Sequence, residues 1–416
     1  MKKLWFEIFY TSSAKIFSLV TGMAVLIITA RWLGPEGRGI IAAVTTWAGL
    51  FATCGHLSLG QVSIHLLAGN KDKTLYSALF GNMLLLTVII TLLGWIVATI
   101  LYNISNGNIF NNIEPLILFV GFLSLPFLIW EQYSSLLLSF LNEIKIYNNS
   151  QIIAQSCSVF FLLVVLFFNW GIPGVLTVIL SVHLIIALTC LKRMFKRSDY
   201  SMLPDTNIIK ALISGGGKLH LNAIGTYLIM STDILIINHY CGAAATGYYQ
   251  LDVQLINTLM IIPGSATLLL FGKVSQSGSD NAWQYQRKIL LFLSIGMALL
   301  ALIAAMFASI LIPFVVGDDF IPAVQPFILL LPALIGMTFS SIMAPQWIAR
   351  GLFWQVSALT LLIGIGNLIL SLVLVPEYGI YGAVWGTLIT YTISVIINGG
   401  MACWCELRYR KNGILN

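Results

Sequence analysis

Charge is what this sequence has least of. Of 416 residues only 9% are Asp, Glu, Lys or Arg, whereas a water-facing domain carries about a quarter. A chain so poor in charge cannot cover a surface in contact with water, so lipid must serve as its solvent. Six cysteines make no disulfide framework: Cys54, Cys157 and Cys190 fall inside apolar runs, and Cys403 and Cys405 lie near the basic C-terminal segment. The Cys403-x-Cys405 pair lacks the neighbouring His or further Cys that a metal site needs. Histidine is equally thin, and His56 and His65 are nine residues apart rather than at the i, i+4 spacing that binds zinc on one helix face. Gly215-Gly216-Gly217-Lys218 lacks the first spaced glycine and the following Ser or Thr of a phosphate loop. No ATP-driven machinery is therefore expected, and the three glycines read instead as a loosened helix start or a place where another helix approaches. Long polar loops are missing too. The longest on the non-cytoplasmic side, Asn103 to Glu114, is too short for a folded domain. The first apolar run has no small-residue cleavage site, so it reads as a retained helix.

What is present is apolar sequence, 58% of the chain. Runs long enough to cross a bilayer are expected at Ser12–Leu33, Ile40–Leu67, Leu75–Tyr102, Pro115–Leu141, Gln151–Phe168 and Ile172–Leu191. Six more follow at Ile208–Tyr240, Gly247–Phe271, Ile289–Phe314, Ala323–Ala349, Ser357–Val375 and Ile380–Trp404. Placing the N-terminus and every second loop on one side collects 17 of the 21 basic residues there. That bias predicts both termini in the cytoplasm of a bacterial inner (cytoplasmic) membrane protein. It also accounts for the net charge of +6, so nucleic acid is not an expected partner, whereas membrane lipid is.

The chain also echoes itself. Shifted by 208 residues, Gly34 falls on Gly242, Gly39 on Gly247, Gly171 on Gly379 and Gly174 on Gly382. Each pair belongs to a short turn between two helices, where glycine supplies backbone freedom. The expected fold class is all-α integral membrane, with about twelve transmembrane helices in two pseudo-symmetric six-helix bundles around a central cavity. The expected divisions are residues 1–191, a cytoplasmic linker at 192–207, and residues 208–416.

The segment Ala30-Arg31-Trp32-Leu33-Gly34-Pro35-Glu36-Gly37-Arg38-Gly39 resembles the opening of polysaccharide-transport proteins. These are the O-antigen flippases of the multidrug/oligosaccharidyl-lipid/polysaccharide exporter (MOP) superfamily. Cys241-Gly242-Ala243-Ala244-Ala245-Thr246-Gly247-Tyr248-Tyr249 and Tyr378-Gly379-Ile380-Tyr381-Gly382-Ala383 are similar to that family's later turns. The resemblance implies a secondary transporter rather than an enzyme. Its cargo would be an undecaprenyl-diphosphate-linked oligosaccharide such as an O-antigen unit of lipopolysaccharide biosynthesis. The polysaccharide polymerase and chain-length proteins of the same pathway would be its partners. A cation-coupled multidrug exporter shares the same plan. A membrane polysaccharide polymerase ranks lower, because the outer loops are short and nearly free of ionisable groups.

Ionisable residues inside membrane spans are costly and so become functional candidates. Lys15 and Lys218 open the first helix of each half. Either they face the cavity and receive the diphosphate, or they snorkel to the headgroups. Arg31 is the outer-side candidate for the diphosphate, while Arg38 reads as a partner of Glu36 at the interface. Glu131, beside Trp130 and Tyr133, is a further cavity candidate. Asp233 and Asp252 flank the turn at Gly242, each about 10 Å inside the outer surface at 1.5 Å per residue. They either share a proton or sodium ion, making transport ion-coupled (an antiporter), or pair with His220, His239 or a lysine as structural glue. No organic cofactor is expected. Pro126, Pro263, Pro332 and Pro345 are candidate bending points.

Overall fold

In the computed structural model of this chain the described residues are 2–69, 73–111, 113–198 and 205–414, with side chains described outside 2–16, 69, 73, 218–219 and 412–414. Every regular element among them is helical: α1 Lys2–Gly55, α2 Leu59–Gly69, α3 Lys73–Ile104, α4 Pro115–Phe122, α5 Leu125–Phe140, α6 Ile144–Phe167 and α7 Gly171–Arg197, then α8 Thr206–Leu259, α9 Ile261–Ser277, α10 Ser279–Val316, α11 Val324–Leu330, α12 Ala333–Ala349, α13 Phe353–Tyr378 and α14 Ile380–Ile414. Nine helical segments among the described residues are long and apolar enough to cross a membrane. The pair Asp318–Leu330 and Ala333–Ala349, bent by 54°, makes a tenth if taken as one span.

Two of these segments are hairpins. In α1 the Arg38 guanidinium donates to Thr29 Oγ1 at 3.2 Å. Along an unbroken helix nine residues rise about 13 Å and end on the opposite face, so the chain must reverse between them. It does so at Gly34, whose φ of 65° is left-handed. In α8 the Tyr249 hydroxyl reaches Asp233, and the reversal is Gly242 at φ 83°. A side chain would strain either turn. The second repeat pair behaves likewise: Gly171 and Gly379 both have φ 59° and join α6 to α7 and α13 to α14. The 208-residue echo is thus a repeat of backbone conformation.

Breaks inside the expected membrane runs fall where the sequence places proline, with one exception. Pro126 lies in the first turn of α5, Pro263 in the first turn of α9, and Pro332 stands at the break between α11 and α12. Each position uses a residue that has no N–H to lose. Pro345 remains inside α12. The break between α1 and α2, at His56–Ser58, contains no proline.

The helices group into two units, Met1–Tyr227 and Leu228–Asn416. The point where these units divide lies inside α8, whose first part packs on α1, α2 and α3. Leu212 joins the apolar cluster of Leu79, Phe80, Met83 and Tyr133. Gly216 lies so close to the Leu57 carbonyl that a Cβ there would come within 2.2 Å of it. Tyr227 donates its hydroxyl to the Thr46 carbonyl. Asp205 caps this helix through the Asn207 N–H at 2.7 Å, and its own N–H donates to Asn82 on α3 at 3.1 Å. The second unit has its own apolar cluster around Trp283, Ile342, Met343 and Cys405.

The surfaces are inverted relative to a soluble protein. Exposed stripes on α3 (Ile89, Leu92, Ile96, Ile100) and on α10 (Phe292, Leu299, Met306, Phe314) are wholly apolar. Buried positions on the same helices include Asn82, Thr87, Thr91 and Gln286. Water would oppose such stripes at about 25 cal/mol per Å²; lipid does not.

Candidate functional site

The densest polar constellation lies in the second unit around Asp233. The hairpin at Gly242 lays the two legs of α8 side by side, so that the Tyr249 hydroxyl donates to Asp233 Oδ2 at 3.0 Å. On α13, Asn367 and Ser371 are one helical turn apart and share a face. Asn367 Nδ2 donates to Asp233 Oδ1 at 3.0 Å and Ser371 Oγ to the same oxygen at 2.7 Å. From α14, Thr387 Oγ1 donates to Oδ2 at 3.1 Å, and Thr390 Oγ1 donates to Asn367 Oδ1 at 2.9 Å. All six residues are buried.

Four neutral donors therefore converge on one carboxylate, each such bond worth about 1.5–3 kcal/mol. No Lys, Arg or His pairs with Asp233 among the described residues. A cavity of about 40 Å³ adjoins the carboxylate and is also bordered by Tyr249, Asn257, Met337, Thr387 and Tyr391. That is room for a water or a small cation. Its polar lining is the Asp233 carboxylate, the Asn257 amide and the Tyr249, Thr387 and Tyr391 hydroxyls, set among Ile229, Val253, Ile256 and Leu330. Those oxygens are hard donors that suit a proton or an alkali cation better than a soft metal. Three helices thus supply a polar cluster around Asp233 that one helix alone could not build.

One turn beyond Tyr249, Asp252 is fully buried and neither carboxylate oxygen has a partner. No bond joins it to Asp233, and Tyr249 lies within electrostatic reach of both. Among the described residues the expected alternative of pairing with His220, His239 or a lysine is not found for either aspartate. His220 packs on His56, and His239 is exposed against Tyr240.

A sequence family described as polysaccharide biosynthesis protein matches residues 4–271. The chain belongs to the polysaccharide biosynthesis protein family. No curated protein matches it. Among solved structures it is similar to the lipid II flippase MurJ in an inward closed conformation, with a TM-score of 0.72 and 13% identity over 97% of this chain and 90% of that one. It is also similar to an inward-facing multidrug resistance MATE family transporter of the MOP superfamily, with a TM-score of 0.70 and 15% identity over 96% and 95% of the two chains. A MOP superfamily transporter from Pyrococcus furiosus gives 0.62 and 15% over 97% and 95%. The fold of this polysaccharide biosynthesis protein is a MOP-superfamily transporter fold, as its turn motifs implied.

The other expected site residues are dispersed in this family member. Lys15 lies in α1 and Lys218 in α8, and their side chains fall outside the described residues. Arg31 is exposed. Arg38 is buried and donates to Thr29, and Glu36 is exposed. Glu131 on α5 meets His183 Nδ1 on α7 at 2.9 Å. Arg350 forms an ion pair with Asp280 at 2.7 Å and stacks on Trp404.

Three groups escaped the sequence reading. Asn367, Ser371, Thr387 and Thr390 are ordinary polar residues in apolar runs, and only the packing of α13 and α14 brings them to Asp233. Gln286 and Gln346 join inside the second unit at 2.8 Å. His56 and His220 stack edge to face with centroids 5.0 Å apart, a meeting that no sequence spacing announces.

Proposed function

We propose that this protein is a flippase moving an undecaprenyl-diphosphate-linked O-antigen, or a similar polysaccharide repeat unit, from the cytoplasmic to the periplasmic leaflet by alternating access. The observation that carries this reading is the polysaccharide biosynthesis family match over residues 4–271. The fold shared with a lipid II flippase supports a lipid-linked cargo. The nine spans among the described residues, the bent pair and the two hairpins support the twelve crossings that this reading implies. With the basic residues as cytoplasmic anchors, both termini lie on the cytoplasmic side of a bacterial inner membrane.

Lys15, Lys218 and Arg31 are the cations assigned to the diphosphate, which favours charge-assisted bonds where water is partly excluded. Glu131 is assigned to the cavity. Asp233 and Asp252 are assigned to a coupling H+ or Na+. An aspartate buried without a partner calls for a proton or a cation, since an uncompensated charge there costs several kcal/mol. The polymerase and chain-length proteins of the same pathway are the partners this reading implies.

Gene deletion followed by a leaflet-resolved assay of the lipid-linked sugar tests the cargo. Cytoplasmic-leaflet accumulation and loss of surface polysaccharide are expected, and an unchanged leaflet distribution refutes the reading. Lys15→Ala and Lys218→Ala are expected to abolish export with folded protein retained; full activity in both identifies the lysines as headgroup anchors. A cation-coupled multidrug exporter is the second reading, supported by the MATE-like fold. Resistance to cytotoxic cations on overexpression, with normal surface polysaccharide in the deletion strain, would favour it.

A further inference from the structure

Inside the first unit a membrane-spanning segment breaks for no reason the sequence supplies. The second leg of α1 ends at Gly55 and α2 begins at Leu59. Between them Leu57 has φ 45° and Ser58 φ 52°, a left-handed conformation that residues with side chains avoid. Such strain persists only where the surroundings impose it.

The surroundings here are two histidines. Ser58 donates its backbone N–H to His56 Nδ1 at 3.0 Å, and Tyr133 on α5 donates its hydroxyl to the His56 carbonyl at 3.0 Å. From α8, Gly216 abuts the Leu57 carbonyl. His220 sets its ring edge to face on His56 and places Nδ1 3.4 Å from Ser58 Oγ. Both histidines are buried, and the Cys54 backbone lies within hydrogen-bonding reach of the His220 ring.

This geometry requires a neutral His56. A nitrogen that accepts from Ser58 N–H carries no proton, so a proton arriving at Nδ1 must break that bond. It would also set a positive charge beside a second imidazole, with no counter-charge on either ring among the described residues. Around the pair, α1 contributes the exposed Cys54 thiol and α3 the apolar Ile90, which lies against Gly55. From α5 come the Tyr133 hydroxyl and, two residues away, Glu131, which is engaged by His183. On α8 Lys218 lies two residues before His220, its side chain outside the described residues. No carboxylate pairs with either ring among the described residues.

We propose that His56 and His220 form a proton-binding latch, in which proton uptake by the pair releases the first part of α8 from the break between α1 and α2. Released imidazoles meet water and titrate near the ordinary value of about 6.5. By linkage, acid then favours release, by about tenfold per pH unit for each proton taken up. Neither ring belongs to the cargo or ion-coupling residues assigned above, so the latch stands apart from the flippase reading.

A cysteine pair reads the latch directly. The Cβ position at Gly215 on α8 lies 3.7 Å from Val62 Cβ on α2, a separation that suits a disulfide or a short cross-link. The full chain carrying Val62→Cys and Gly215→Cys, with its six native cysteines replaced by alanine, is held in lipid nanodiscs between pH 8 and pH 5. It is then trapped with a short bifunctional methanethiosulfonate. The same pair with His56→Gln and His220→Gln supplies the reagent's own pH dependence. Relative to that control, cross-linking is expected to fall at least about tenfold as the pair takes up a proton. Identical pH profiles in the two chains overturn the latch. Histidine-labelled NMR of the unaltered chain guards against misfolded variants: two of its five histidine signals are expected to titrate together, and two that stay neutral to pH 5 overturn it independently.

Discussion

Tyr249 donates its hydroxyl to Asp233 across 3.0 Å although sixteen residues separate them, and only the left-handed turn at Gly242 makes that contact attainable. The hairpin and the binding point are therefore one construction. Asp233→Asn leaves one oxygen and turns an amide N–H toward donors that need an acceptor, at about 1–3 kcal/mol. A bound ion at a hundred times its dissociation constant stabilises the fold by about 2.7 kcal/mol. Melting of the wild type is thus expected to shift between sodium and choline, or between acid and neutral buffer, at constant ionic strength. In Asp233→Asn that shift is expected to vanish. An unaltered ion-dependent shift in the variant would remove Asp233 from the coupling site.

The glycines separate strain from crowding. A Cβ at Gly34 or Gly242 meets nothing within 4 Å, so alanine there carries only the left-handed penalty, about 1–2 kcal/mol. Gly216→Ala drives a methyl against the Leu57 carbonyl and is expected to cost about 3 kcal/mol or more. At Gly217 the space is open and the backbone helical, so alanine is expected to stabilise by about 0.5–1 kcal/mol. Melting temperatures of the four variants in one detergent check this order. Equal losses at Gly216 and Gly217 would mean that α8 does not pack closely on the break.

Much of this was legible because glycine reports backbone conformation directly. Gly34, Gly171, Gly242 and Gly379 all occupy left-handed conformations, so a shift that aligns them aligns the turns. Asp233 was legible as an ionisable residue in an apolar run. Its partners were not, because convergence of Asn367, Ser371 and Thr387 is a product of tertiary packing and leaves no local periodicity. The break at Leu57–Ser58 lacks the proline that marks the others. The unit boundary lies within the first leg of α8, ahead of the reversal at Gly242, where no change of composition announces it; only the Gly215–Gly217 run hinted that another segment approaches there.

At the loop between α5 and α6, Glu143 accepts from Arg193 Nε at 2.8 Å and from Arg197 at 3.1 Å. The Arg193 guanidinium holds the Glu143 carboxyl below the usual carboxylate range. A carboxyl whose folded value is depressed contributes stability that is present above its unfolded value of about 4.5. That stability is lost as pH falls through the lower, folded value. Wild type and Glu143→Gln are therefore expected to differ most at neutral pH and to converge as pH falls through the lowered Glu143 value, with a gap near 1 kcal/mol for a pair this close to solvent. A gap that widens on acidification would have the wrong sign for this ion pair.

Glu131 and His183 lie 2.9 Å apart with side chains 12% and 24% exposed, and what Glu131 does can be separated from what it holds. His183→Leu strands the carboxylate and is expected to cost toward the lower end of the roughly 3–5 kcal/mol for breaking a buried pair. Adding Glu131→Leu removes the stranded charge, so the double variant is expected to regain most of that stability. Leaflet-resolved transport then distinguishes the roles. If Glu131 only braces α5 against α7, transport returns with stability. If it faces the cargo or carries a proton, the double variant is stable and inactive. The second outcome is the expected one, because apolar packing alone could join these two helices at less cost than a carboxylate inside a membrane span.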